Sequence, residues 1–299
     1  MRDNVLALKV VLASGEVMTT SRRARKSSTG YDLTRLIFGA EGTLGVITEL
    51  TLKLHGIPEE ISAGFCVFPS IKACCDAAVM AVQTGIPIAR VELLDEVQVR
   101  VCNAYSKLNI PESPMLFLEF HGTSAGVAEQ SKRFGEIARQ FDGGAFQWSI
   151  KSEDRNRLWQ TRHDVHWALG AYRPGAKVVV TDVCVPISRL AECVTETKRD
   201  IDQSRLLAPI VGHVGDGNFH ASILVMMDDH EEVKRAKGCI ERLTERALAM
   251  EGTCTGEHGI GQGKKHFLEP EHGSTTLEAT RAIKHALDPD HIMNPGKIL

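Results

Sequence analysis

"PIVGHVGDGNFHASILV", residues 209–225, reads as two apolar strands joined by a glycine-dense turn. Gly212, Gly215 and Gly217 give the turn its sharp bend, since glycine reaches backbone conformations closed to other residues, at an entropic cost to folding. Strands joined by so short a connection run antiparallel. Such a hairpin puts His213 and His220 at adjacent strand ends, where their rings can meet, with Asp216 in the turn between them.

Working outward, strands and helices continue to alternate. "AKVVVTDVCVP" (176–186) is a strand that Pro186 ends, and "SRLAECVTETKRDIDQS" (188–204) is a helix leading into the hairpin. "DDHEEVKRAKGCIERLTERALAMEG" (228–252) is the clearest helix: Val233, Ala236, Ile240, Leu243 and Ala247 recur at helical spacing. Asp229 with Glu232 forms a capping box, and Gly252 closes the element. Upstream, "SIKACCDAAVMAVQTG" (70–85) is a helix capped by Ser70 and stopped by Gly85. "SAGVAEQSKRFGEIARQF" (124–141) and "SEDRNRLWQTRHDVHWALG" (152–170) are helical in spacing, and "ISAGFCVF" and "PMLFLEFHG" are strands. The first 55 residues are strand-rich, and "HGIPEE" (55–60) marks a boundary through Gly56 and Pro58. The class is α+β, an antiparallel sheet covered by helices rather than a steady βαβ series.

The 299 residues suffice for one large or two ordinary domains. A net charge of −3 gives no footprint for nucleic acid, and the basic run "SRRARKSS" (21–28) reads as a solvated loop. The eight cysteines form no CxxC pair and sit in apolar segments, as reduced buried thiols do. No secretory or targeting segment is visible in "MRDNVLALKVVLASGEV" (1–17) and no apolar run reaches membrane-spanning length, which is about 18 residues or more.

A second glycine-rich stretch, "CTGEHGIGQGKK" (254–265), adds Glu257 and His258. Two imidazoles and a carboxylate form an open metal site with room for water or substrate. Neighbours in an extended segment point opposite ways, so Glu257 can hold a metal while His258 faces a reacting group as general base. The plainer alternative makes all of these turn residues bonding their own backbone; five of them in two turns favour a site. The stretch is no phosphate loop, because His258 stands where the first glycine belongs and Lys265 follows the Gly263-Lys264 pair. Nor is it a dinucleotide fingerprint, because Lys264 takes the third glycine's place. Arg162, on a helix, can clamp a carboxylate. Lys177, at the start of an apolar strand, either snorkels or meets an anion.

Taken together, "YDLTRLIFGAEGTLGVIT" (31–48), "GHVGDGNFH" (212–220), "GTCTGEHGIGQGK" (252–264) and "DPDHIMNPGKIL" (288–299) resemble the FAD-linked oxidases of the vanillyl-alcohol oxidase type, closest to their D-lactate dehydrogenase (cytochrome) branch. The resemblance implies that residues 1–57 are the end of a two-lobed FAD-binding domain. It makes 58–290 a substrate- and metal-binding cap, and 291–299 a strand-like return to the flavin. It implies that His213, His220 and Glu257 hold zinc or manganese, which binds the hydroxyl and carboxylate of a 2-hydroxy acid. His258 would take the hydroxyl proton while the α-hydride passes to the flavin. Arg162 and Lys177 would pair with the substrate carboxylate. Glu41, Gly42, Thr43, Gly45, Ile47 and Asn294 would line the flavin. Ser222 stands where relatives that take longer diacids carry asparagine, which favours a small or apolar substrate.

The resemblance also implies a first flavin lobe, with its own pyrophosphate loop, ahead of "MRDNVLALKVVL". Residues 1–299 would then be a truncated gene product, the product of an alternative start, or one member of a split pair, each of which would compromise FAD binding by these residues alone. The leading expectation is FAD-dependent oxidation of D-lactate to the 2-oxo acid, delivering electrons to cytochrome c, a quinone or an electron-transfer flavoprotein, in cytoplasm or mitochondrion. Glycolate or D-2-hydroxyglutarate oxidation would use the same residues. A non-catalytic cap that needs a partner lobe is another expectation. A stand-alone metallohydrolase would leave "FGAEGTLGVIT" and "MNPGKIL" without a role.

Overall fold

The structure, a computed structural model, describes residues 2–107 and 109–299. It divides into two compact units, Met1–Ile57 with Glu257–Leu299, and Pro58–Gly256. Residues 257–290, grouped with the cap in the sequence reading, therefore pack with the N-terminal segment. The cause is local: Glu41 accepts the Ile260 and Gly261 amides, and Lys284 donates to the Thr43 carbonyl.

The first unit opens with β1 (Val5–Val11), β2 (Val17–Thr19), α1 (Leu33–Ile37) and β3 (Val46–Leu52). The strands form an antiparallel sheet in the order β2-β1-β3. β1 is central and buries Val5, Leu8 and Val10 against Ile37, Ala40 and Leu44. Gly45 allows this packing, because a Cβ there would lie 2.5 Å from Val10. β3 stands otherwise: Val46, Ile47, Leu50 and Leu52 are apolar yet exposed along the sheet edge.

The second unit contains β4 (Glu60–Val67), α2 (Ile71–Gln83), β5 (Ile88–Leu94), α3 (Glu96–Ser106), β6 (Met115–Gly122), α4 (Ser124–Gln140) and β7 (Gln147–Ser149). It continues with α5 (Ser152–His163), α6 (Val165–Tyr172), β8 (Lys177–Val180), β9 (Val183–Cys184), α7 (Leu190–Gln203), β10 (Ile210–Gly212), β11 (Asn218–Val225) and α8 (His230–Ala249). The strands make one antiparallel sheet in the order β7-β4-β6-β5-β10-β11-β8, with β9 also paired to β11. Both faces of this sheet are covered. Leu116, Leu118, Phe120, Val91, Leu93, Ala221 and Ile223 pack under α2, α4, α7 and α8 on one side. Phe117, Met115, Leu94, Val211 and Leu224 pack with Trp159, Val165 and Leu169 on the other. Burial on both sides explains why residues 115–118, "MLFL", are continuously apolar instead of alternating.

The local signals act as read for two helices and differ in detail for others. Ser70 accepts the Ala73 amide at 3.2 Å and starts α2. Asp229 accepts the Glu232 amide at 2.9 Å and starts α8. The reciprocal half of the expected capping box is absent, because the Glu232 carboxylate instead takes Arg173 at 2.7 Å and the Met226 amide at 2.8 Å. The Arg173 contact holds the Glu232 carboxyl below the usual carboxylate range. The single helix expected over 152–170 is two, meeting at Asp164, which closes α5 and opens α6. The strand expected over 176–186 is interrupted at Thr181 and Asp182, which bond to β11 and to Thr255 instead.

Beyond Gly256 the chain returns to the first unit with the short α9 (Leu268–His272) and with α10 (Ser274–Leu287). The tail 291–299, expected as a strand, is a series of turns with His291, Asn294 and Ile298 at positive φ. Asp288 fixes it by accepting the Ile292 and Met293 amides at 3.0 and 2.9 Å. The cysteines are buried apart from the partly exposed Cys184. Burial pushes the Cys66 and Cys193 thiols up to about 11, so neither is a ready thiolate.

Candidate functional site

In the second unit the β10–β11 hairpin pairs Ile210 with Ala221 and Val211 with His220. Its turn is tight: Gly217 sits at φ 79°, and a Cβ there would lie 2.1 Å from the Val185 carbonyl. The result is the juxtaposition the sequence asks for. The His213 and His220 rings stand 5.8 Å apart, centre to centre, and nearly perpendicular at 84°. Asp216, by contrast, is exposed, and only its main chain enters the network, through its carbonyl on Cys184 and its amide on His213.

Each ring is held at Nδ1. His220, almost fully buried, meets the Thr181 carbonyl at 2.9 Å, with Asp182 3.7 Å away. His213 meets the Glu92 carboxylate at 2.6 Å. A ring that donates through Nδ1 keeps its lone pair on Nε2, the arrangement that metal-ligating histidines share. Two such nitrogens suit zinc, a borderline ion, and manganese where a carboxylate joins them.

The buried Asp182 organises the chain beside His220. It accepts the Asn218 side-chain amide at 2.8 Å and the Thr255 hydroxyl at 2.6 Å. Gly256 completes this packing, because a Cβ there would lie 2.2 Å from the Asn218 amide nitrogen. The next residue in the chain is Glu257.

Arg162, on the last turn of α5, is mostly buried and donates through Nε to Glu92 at 3.0 Å. Glu92 thus joins Arg162 and His213. A guanidinium carries five N–H groups, so this contact leaves donors for a second carboxylate. Lys177 does not join the group. It pairs with Val225, five strand positions beyond His220, which is about 16 Å at ~3.3 Å per residue. Its parity also sets it on the opposite sheet face, since side chains alternate. On β8, Val178 and Val180 share the face of His220 and Ser222.

In the first unit, Glu257 and His258 are both half-exposed, with His258 Nε2 3.6 Å from the Glu257 carboxylate. The loop that follows is anchored by Glu41, whose carboxylate accepts the Ile260 amide at 2.6 Å and the Gly261 amide at 2.8 Å. Asn294 in turn donates to the Glu41 carbonyl at 2.5 Å. Glu41 itself stands at φ 50° and Gly42 at φ 73°, and of residues 41–43 Gly42 is the exposed one. Thr43 is buried and bonds the Ala40 carbonyl, whereas Ile47 is exposed on β3. Glu41, Gly42, Thr43 and Asn294 come together; Gly45 serves β1 packing. A turn that leaves Gly42 open suits the flat polar ring of a flavin, which proteins hold largely by orientation and hydrogen bonds.

The Glu41 bonds make a prediction. Hydrogen bonds to a charged group are worth about 1.5–3 kcal/mol each. In Glu41→Ala, the Ile260 and Gly261 amides are expected to exchange with solvent about tenfold faster or more. Unchanged exchange at those two amides would show that the loop is held otherwise.

The sequence reading missed Glu92 and Asp182. Each leaves one signal, an acidic residue inside an otherwise apolar strand, "VELLD" and "VVVTDVCV". Among the described residues, no helix is long and apolar enough to cross a membrane.

Comparison with known proteins adds a pattern. The family described as FAD linked oxidases, C-terminal domain, matches residues 57–298. The chain is 49% identical over 302 residues to a probable mitochondrial D-lactate dehydrogenase of Danio rerio, covering all of this chain and 61% of that protein. It is 46% identical over 299 residues to the mitochondrial D-lactate dehydrogenase [cytochrome] of Arabidopsis thaliana, covering all of this chain and 53% of that protein. The chain thus spans little more than half the length of these relatives. Its fold is similar to 4-ethylphenol oxidase from Gulosibacter chungangensis, with a TM-score of 0.75 at 16% identity, over 99% of this chain and 65% of that one.

Proposed function

Because this chain belongs to the FAD-linked oxidases, through their C-terminal domain, we propose that it is the metal- and substrate-binding portion of an FAD-dependent D-2-hydroxy-acid dehydrogenase, with D-lactate as substrate. The observation that carries the reading is the His213–His220 pair, each ring tied at Nδ1, with Arg162 sharing the Glu92 carboxylate. D-lactate follows from the names of the two relatives. Residues 1–57 are read as the end of a flavin domain, a role that the exposed apolar Val46, Leu50 and Leu52 support.

In this reading His213, His220 and Glu257 hold a zinc or manganese ion, and Glu41, Gly42, Thr43, Gly45, Ile47 and Asn294 line the flavin. When bound, the divalent ion would draw charge from the substrate hydroxyl, and the flavin would take up two electrons with the α-hydrogen. Arg162 holds the substrate carboxylate through its remaining N–H groups. His258 accepts the hydroxyl proton on a ring nitrogen. The products are the 2-oxo acid, one proton on His258 and one hydride equivalent. A cytochrome as acceptor and the mitochondrion as compartment come from the relatives' names.

Val178, Val180 and Ser222 on the face of His220 favour a substrate with a small apolar group. The complete flavoenzyme carrying this segment is expected to show a higher kcat/KM for D-lactate than for glycolate or D-2-hydroxyglutarate, and turnover of L-lactate at background. A preference for D-2-hydroxyglutarate would overturn the assignment.

A further inference from the structure

We propose that Glu92 is a positioning residue that couples the metal ligand to the substrate clamp, a proposal that rests on the roles just given to His213 and Arg162. Glu92 lies on β5 opposite Phe117, only 8% exposed, on the face that carries Phe117, Trp159 and Leu94. A carboxylate on so apolar a face is costly unless both oxygens are satisfied. They are, by groups from two other elements. One oxygen accepts His213 Nδ1 across 121 residues of sequence, and the other accepts Arg162 Nε across 70.

His213 stands on a turn built of glycines, so side-chain contacts such as the one to Glu92 set its ring. The Glu92 contact therefore does two things. It selects the His213 tautomer with the proton on Nδ1 and the lone pair on Nε2, the reverse of the preference of neutral imidazole in water. It also fixes the height of the Arg162 guanidinium along α5 relative to that lone pair. A carboxylate serves both donors at once. A glutamine cannot, because its amide NH2 must face one of them.

A purely structural ion pair between β5 and α5 would predict lower stability alone. The positioning role predicts more. In Glu92→Gln, Zn2+ affinity of the chain, measured by competition with a chromophoric chelator, is expected to fall about 10–100-fold, the usual penalty for losing a ligand's hydrogen-bond partner. In Glu92→Ala, nitrogen-15 spectra of the metal-free chain are expected to show the His213 proton moved from Nδ1 to Nε2. Equal Zn2+ affinity in the wild type and Glu92→Gln would overturn the coupling while leaving the metal reading intact. A wild type that binds no Zn2+ would remove the metal reading; the His213 spectra then decide, and an unchanged tautomer in Glu92→Ala would overturn the positioning role as well.

Discussion

Alanine at position 258 is expected to slow flavin reduction by D-lactate about 10²–10⁴-fold in the complete flavoenzyme carrying this segment, the range that loss of a positioned general base produces. Oxidation of a hydroxyl requires the proton on oxygen to leave as the α-hydrogen departs with its electron pair. An imidazole is the side chain suited to take that proton near neutral pH. His258 is half-exposed beside Glu257, and the loop behind it is fixed by the Glu41 carboxylate. His258→Ala removes a base and no proposed ligand, so metal content is expected to stay at the wild-type level. Stopped-flow reduction together with elemental analysis checks both halves. Wild-type reduction rates would take His258 out of the reaction, and lost metal would recast it as a ligand.

His220→Ala is expected to reduce bound metal from stoichiometric to trace amounts. His220 is 4% exposed at the start of β11, so its ring has one orientation, set by the Thr181 carbonyl and by Asp182. The substitution also leaves the buried Thr181 carbonyl without its donor, which costs about 1–3 kcal/mol. The unfolding midpoint is therefore expected to fall along with metal content. Asp216→Ala separates the two effects: Asp216 shares the turn but its side chain is exposed, so metal and stability should both persist. Full metal occupancy in His220→Ala would overturn the ligand assignment.

The hairpin was legible because its signal is local. Glycines, two apolar flanks and paired histidines all lie within residues 209–225. The caps of α2 and α8 were legible for the same reason. Glu92 was not, because its meaning depends on partners 121 and 70 residues away. Lys177 shows the limit from the other side. As a lysine at a strand start it is a reasonable anion partner, but register and parity decide where it points, and those are set by Val225. The tail at 291–299 was expected to be strand-like from the family resemblance, not from its own pattern. Asp288 instead gathers the Ile292 and Met293 amides into a turn, a contact no periodicity predicts. Glu41 was read as main chain lining a flavin, while its carboxylate also holds the Ile260 and Gly261 amides.

The central claim is that the two glycine-rich turns bind the 2-hydroxy acid through a metal while an FAD accepts its hydride. Anaerobic addition of D-lactate to the complete flavoenzyme, before and after metal removal by a chelator, tests it most directly through the visible flavin absorbance. The account expects rapid bleaching with metal present, loss of bleaching after chelation, and recovery when zinc or manganese is restored. Bleaching that proceeds unchanged in the chelated enzyme, or none by D-lactate in the metal-loaded one, would contradict it.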